Sequence, residues 1–280
     1  TMETYIFVLG RDPELSKLEI KSYFQSRNLP LNILKETDKV LLLETLSINS
    51  EKIISELGGT QKIAKVITSF DNLYEGTKNK VRYAVSNYSD NEEEDIKGDL
   101  KEYFKKEGIR ANIKKSHHEQ DFLTPSEAKN VVEVIQFNNI NAKVIAVFDP
   151  KEHKKRDTQR PVQRPLHTIS IRLAKILINL SQAKPGETLL DPFCGIGTIL
   201  QEAMLMNING IGFDNDLSCI TSSEKNLKWI QGIYNPKASY RLINSDSRQV
   251  LKFVSKVDCV ATEPYMGPFM KSYPTEGEAK

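Results

Sequence analysis

The stretch LLDPFCGIGTILQEA, residues 189–203, constrains the fold of this chain more than any other. A short apolar run ends in an acid, a turn with two glycines follows, and an apolar pattern at helical spacing comes next. Strand, glycine turn and helix in that order make the ligand-facing corner of an open α/β sheet. The surroundings agree. Candidate strands at 188–191, 210–214, 240–246 and 258–263 alternate with helical stretches, and a helical stretch at 168–183 precedes them. Such alternation implies βαβ units and a parallel sheet.

The charge at this corner selects the ligand. A dinucleotide site wants a third glycine, and Leu200 stands in its place. Asp191, at the strand end, repels a pyrophosphate and attracts an ammonium group. S-adenosylmethionine carries an α-ammonium and a sulfonium, and so suits the pattern. Gly195 and Gly197 let the backbone approach the methionine moiety without a Cβ in the way. The next strand ends in Asp214, 23 residues on, where an acid can accept hydrogen bonds from both ribose hydroxyls. The third ends in Asp246, placed to receive an adenine amino group. Phe193, Thr198, Asn215 and Ser247 share these turns and complete the set of donor contacts read from the sequence. Asp216 serves equally as a helix cap.

The front half reads differently. Residues 5–9 form a strand, a helix follows from Glu14, a second strand covers 39–46, Ser50 caps a helix to Leu57, and a strand follows Gly58-Gly59. This β-α-β-α-β order is a ferredoxin-like pattern. A helix over 96–107, a strand at 109–115, a capped helix opening at Thr124-Pro125 and a strand over 142–149 come next. Residues 150–165 then hold six Lys/Arg against two acids, with three prolines. By composition that is a linker, and Lys154, Lys155, Arg156, Arg160 and Arg164 are candidates for gripping RNA. A solvated connector with incidental charge is the rival account of the same stretch.

Three cysteines and no CxxC argue against a disulfide framework or a zinc site, and point to a reducing, cytoplasmic setting. No run approaches a membrane span, and no basic-then-apolar leader opens the chain. The net charge of +2 is too small by itself to establish a nucleic-acid partner.

LLDPFCGIGT, GIGFDND and ATEPYMG resemble the motifs of class I S-adenosylmethionine-dependent methyltransferases that modify an exocyclic amino group. With YIFVLGRDPELSKLEI, ELGGTQKIAKVI and RPLHTISIRLAKILINLS, the whole chain resembles the tRNA guanosine-N2-methyltransferases of the archaeal type, which act on guanosine 10 of tRNA, and their eukaryotic relatives. The resemblance implies an N-terminal ferredoxin-like region (1–68), a THUMP-like RNA-binding domain (69–149), the basic linker (150–165) and a Rossmann-like catalytic domain (166–280). It implies S-adenosylmethionine as cofactor, tRNA as partner, and neither metal nor membrane.

The family's catalytic motif, Asp/Asn-Pro-Pro-Tyr/Phe, reads here as Glu263-Pro264-Tyr265. In that role Glu263 accepts one amine N–H, the Pro264 carbonyl accepts the other, and Tyr265 stacks on a flipped base. The family's sheet has seven strands, whereas this chain ends at Lys280, 17 residues after Glu263. The expectation is a domain truncated after its fourth strand, with that edge covered by a missing segment or a protein partner. Three other readings stay open: a catalytically silent RNA-binding protein, an amino-methyltransferase of another RNA or of DNA adenine, and, on the glycine turn alone, a nicotinamide oxidoreductase.

Overall fold

The computed structural model describes residues 1–90, 94–117, 121–164 and 168–264. By internal contacts the chain divides into two units, Thr1–Arg156 and Asp157–Lys280.

The first unit opens with β1 (Met2–Leu9), α1 (Pro13–Ser26), β2 (Asn32–Glu36), β3 (Val40–Leu46), α2 (Ser50–Glu56) and β4 (Thr60–Ile67). The sheet order β2-β3-β1-β4 makes this a ferredoxin-like arrangement, with one strand more than the sequence pattern suggested. The added strand, β2, is a polar edge strand with little of the alternation that marks a buried one. The helix cap also moves by one residue, since the Asn49 side chain, not that of Ser50, accepts the Lys52 amide. The Gly58-Gly59 turn is held from inside. Buried Glu19 accepts both glycine amides at 2.7 Å, and a Cβ on Gly59 would meet Ser16.

β5 (Lys80–Asn87), α3 (Lys97–Lys106), β6 (Arg110–Ile113), α4 (Pro125–Ala128), β7 (Val132–Phe137) and β8 (Ile140–Val147) follow. Their strands continue the same sheet, giving eight strands in the order β2-β3-β1-β4-β8-β7-β5-β6. The Thr124–Glu127 capping box is present. Its helix lasts a single turn, because Val132–Phe137 pairs with β5 and β8 and is buried along most of its length. Here tertiary pairing overrides a good local helix start.

The predicted linker, residues 150–165, holds the boundary between the two units but is helical over much of its length. Residues 150–159 form a helix, α5 (Pro150–Gln159), which begins in the first unit and ends in the second. Pro150 opens it, the Asp149 carboxylate accepts the Lys151 amide at 3.0 Å, and Pro161 follows its end.

The second unit contains α6 (Ile171–Leu180), β9 (Thr188–Asp191), α7 (Thr198–Leu205), β10 (Asn209–Asp214), α8 (Leu217–Tyr234), β11 (Tyr240–Asn244), a 3-10 turn (Ser247–Lys252) and β12 (Cys259–Val260). The strands are all parallel, in the order β11-β10-β9-β12. Leu189, Leu200, Ala203, Met204 and Leu227 are fully buried in the main core of this unit. Parallel pairing brings the carboxyl ends of β9, β10 and β11 to one edge, where α/β sheets bind ligands. No helix among the described residues is long and apolar enough to cross a membrane.

Candidate active site

The turn after β9 is built on unusual backbone. Gly195 and Gly197 both have positive φ, +52° and +86°. A Cβ on Gly197 would come within 2.8 Å of Ser223 Oγ, so packing as well as φ calls for glycine there. A Cβ on Gly195 would meet nothing, because it would project into open space. Gly195 also lines a cleft open to solvent, together with Thr168, Ile169, Asp191, Phe193, Thr198 and Glu263 among others.

Asp191 is 1% exposed at the floor of this cleft. Thr262 Oγ1 donates to its Oδ1 at 2.6 Å, and the Phe193 amide donates at 3.1 Å. Burial pushes its pKa up to about 7. The two hydrogen bonds oppose that rise, and the neighbouring carboxylates of Asp214 and Glu263 add to it. Thr262, which ties the β12 end to the β9 end, was not singled out from the sequence. The only signal was a hydroxyl next to the catalytic-type acid.

Asp214 lies at the end of β10, as expected. Its Oδ2 accepts the Gly195 amide at 3.0 Å and its Oδ1 accepts the Asp216 amide at 2.9 Å, so it braces the glycine turn from the neighbouring strand. Asn215 is exposed beside it. Asp216 caps α8 through the Ser218 amide. Asp246 departs from expectation. β11 stops at Asn244, and Asp246 caps the 3-10 turn that starts at Ser247, with both carboxylate oxygens engaged by Arg248. That ion pair holds its pKa down at about 2. Asp214, Asn215, Asp246 and Ser247 stand at the sheet edge but outside the residues that line the cleft. The reading therefore divides. Asp191, Phe193, Gly195, Thr198 and Glu263 converge, Gly197 underlies the turn, and the other four sit to one side.

Glu263 is half-buried and faces the same cleft as Asp191, while Pro264 is exposed. Tyr265 lies outside the described residues. Cys194 is buried, with its sulfur 2.9 Å from where a Cβ on Gly212 would sit, which is a packing role.

The basic segment is corrected most. Arg156 and Arg160 are each 6% exposed and present no charge to solvent. Arg156 lies 3.8 Å from Glu152. Arg160 Nη1 donates to Thr198 Oγ1 at 2.9 Å. Half-buried Arg164 donates to Ser218 Oγ and Cys219 Sγ. Lys154 is exposed and Lys155 partly so. Composition reports how many cations a segment holds but not which way they turn. Among the described residues, no group of three His, Cys, Asp or Glu could hold a metal ion.

Residues 158–272 match the UPF0020 family model, described as an RMKL-like methyltransferase domain. A tRNA (guanine(10)-N2)-dimethyltransferase of Methanothermobacter thermautotrophicus is 38% identical over 131 residues, which is 46% of this chain and 36% of that protein. The Pyrococcus abyssi protein of the same name is 24% identical over 94% of this chain and 78% of its own length. The crystal structure of TrmN from Thermus thermophilus superposes with a TM-score of 0.49 at 15% identity, covering 94% of this chain and 80% of that one. The matched stretch thus spans about a third of the first of these relatives. The family model falls on the unit that carries the cleft, and the alignment with the Pyrococcus abyssi protein runs along both units. The chain is thus similar to tRNA guanine-N2-methyltransferases, and its second unit matches a methyltransferase-domain family over residues 158–272.

Proposed function

We propose that the protein transfers a methyl group from S-adenosylmethionine to the exocyclic N2 amine of a guanosine in tRNA, with position 10 the first candidate. One observation carries the reading: a deeply buried carboxylate, Asp191, and a half-buried one, Glu263, face a single cleft beneath a positive-φ glycine turn. The residues fit the donor. The open space at Gly195 admits a ligand backbone that a Cβ would block. When bound, the donor supplies an already activated methyl group.

The protein's own residues do the rest. Asp191 holds the α-ammonium. Asp214 and Asn215 lie toward the ribose, and Asp246 and Ser247 toward the adenine, where the exposed Arg248 can yield its place. Glu263 accepts an N–H of the guanine amine, which redirects a lone pair otherwise delocalised into the ring, and takes the proton after transfer. Pro264 and Tyr265 complete the base pocket. In the first unit, we read residues 1–68 as the ferredoxin-like region and 69–149 as a THUMP-type RNA-binding domain, with Lys154 and Lys155 adding charge toward the tRNA. The setting is cytoplasmic.

The test is methylation of unmodified tRNA transcripts with labelled donor, followed by nucleoside analysis. N2-methylguanosine or its dimethyl form is expected. Donor binding without transfer to any tRNA would instead identify a silent RNA-binding protein.

The buried acid makes donor affinity depend on pH. In the empty cleft Asp191 keeps its proton up to about pH 7, while an ammonium ligand needs the carboxylate. Affinity for S-adenosylhomocysteine should therefore rise roughly tenfold per pH unit from 5 toward 7 and level off above. For the free protein the same carboxyl is expected to give stability the opposite trend. The folded-state pKa is raised, so the unfolded chain releases the proton first, and this carboxyl's contribution to stability is lost as pH rises from about 4 through 7. Calorimetric titration at several pH values checks the first trend, and Asp191→Asn should flatten it.

A further inference from the structure

The residues Arg160, Val162 and Arg164 reach three separate parts of the donor corner. Arg160 Nη1 bonds Thr198 Oγ1, on the first residue of α7. The Val162 amide donates to Asn226 Oδ1 at 2.9 Å, and Asn226 Nδ2 donates to the carbonyls of Val162 and Ile196 at 3.1 and 3.0 Å. Ile196 lies between the two positive-φ glycines. Arg164 Nη2 donates to Ser218 Oγ at 2.8 Å and Nη1 to Cys219 Sγ at 3.1 Å, at the start of α8, just past the Asp214 turn. Thr168 then returns to line the cleft, its hydroxyl donating to the Arg164 carbonyl at 2.6 Å.

We propose that Arg160, Val162 and Arg164 form a clasp that sets the shape of the methyl-donor pocket, acting as positioning residues and not as RNA contacts. The inference rests on reading the cleft as the donor site. Two glycines at positive φ cannot hold a turn in one conformation alone, because glycine is the residue with the most backbone freedom. The clasp supplies the restraint from outside, on both the β9 and the β10 turns. Burial supports the assignment. A guanidinium that met phosphate at the surface would have no cause to leave water. Arg160 is 6% exposed, and its Nε has no hydrogen-bond partner among the described residues. Desolvating a charge to this degree is costly, and here the position is held by Thr198 together with Asp157, 3.7 Å away. The positioning groups touch no donor atom; they order the ones that do.

The deciding experiment uses the partly exposed end of the clasp, where the variants keep the fold. S-adenosylhomocysteine is titrated by calorimetry into the 280-residue protein, Arg164→Ala, Ser218→Ala and the double variant, with Tm and tRNA affinity measured alongside. Each single change is expected to weaken donor binding, Arg164→Ala roughly tenfold because it also gives up Cys219 and Asp216, Ser218→Ala less, and the double change no more than Arg164→Ala alone, because the Ser218 contact is already lost there. Tm should shift by only a few degrees, and tRNA affinity without donor should stay as in the parent. Additive losses would overturn the clasp. So would an unchanged donor affinity with weakened tRNA binding, which would return Arg164 to the RNA surface. If the parent itself binds no S-adenosylhomocysteine, the donor reading falls, and the clasp with it.

Discussion

Glu263→Ala is expected to reduce methyl transfer by roughly a hundred- to ten-thousand-fold, the range spanned by a positioned acid–base group. Donor binding should survive. The proposed donor contacts lie on the β9 turn, at Asp191 and at the ends of β10 and β11, none of which depends on a hydrogen bond from the Glu263 side chain among the described residues. Binding below pH 7 should even improve slightly. Glu263 is one of the carboxylates that raise the Asp191 pKa, so its removal lets Asp191 ionise earlier and meet the ammonium. Glu263→Gln separates two roles. Its carbonyl still accepts an N–H but cannot take the proton, so activity between the alanine variant and the parent is expected. Single-turnover rates with labelled donor measure all three proteins, and an alanine variant transferring at the parent's rate would remove Glu263 from the chemistry.

How much of this could be read beforehand depended on the range of the interactions involved. The β9 strand, the glycine turn and the acid ending β10 were legible because their causes are local: alternation of apolar residues, glycine φ, and an acid at a strand end. Asp246 misled because β11 ends two residues early, and the acid caps a turn instead of closing a strand. β2 was lost because Asn32–Glu36 is mostly exposed and lacks a buried face. β7 was hidden behind a sound capping box at Thr124, whose helical promise is overruled by pairing with β5 and β8. The arginines of 156–164 were misread because the groups that bury or bind Arg160 and Arg164 lie up to 55 residues away in sequence. Thr262 was missed for a similar reason, since its partner Asp191 is 71 residues back.

The strongest stability effect is expected inside the first unit, at Lys62. Its side chain and that of Glu133 are both fully buried, 2.6 Å apart. Lys62 also donates to the Leu123 carbonyl, and the Ser86 hydroxyl donates to Glu133. Lys62 is on β4 and Glu133 on β7, so the pair joins the ferredoxin-like part of the sheet to the part that continues it. Burial drives the Lys62 pKa down, and Glu133 opposes that shift. Such a pair adds little net stability when complete, but losing one member leaves a charge stranded in the interior. Glu133→Ala alone should therefore cost about 3–5 kcal/mol, and Lys62→Met a similar amount. The double variant Lys62→Met/Glu133→Leu should recover most of the loss, because it buries no unpaired charge. The chain offers an internal control. Trp229, its one tryptophan, sits on α8 of the other unit. In urea titrations, amide-exchange protection of β4 and β7 should fall in the single variants while the Trp229 fluorescence midpoint holds. A double variant as weak as the singles would show instead that the pair contributes net stability by its own attraction, and that the register of the eight-stranded sheet depends on it.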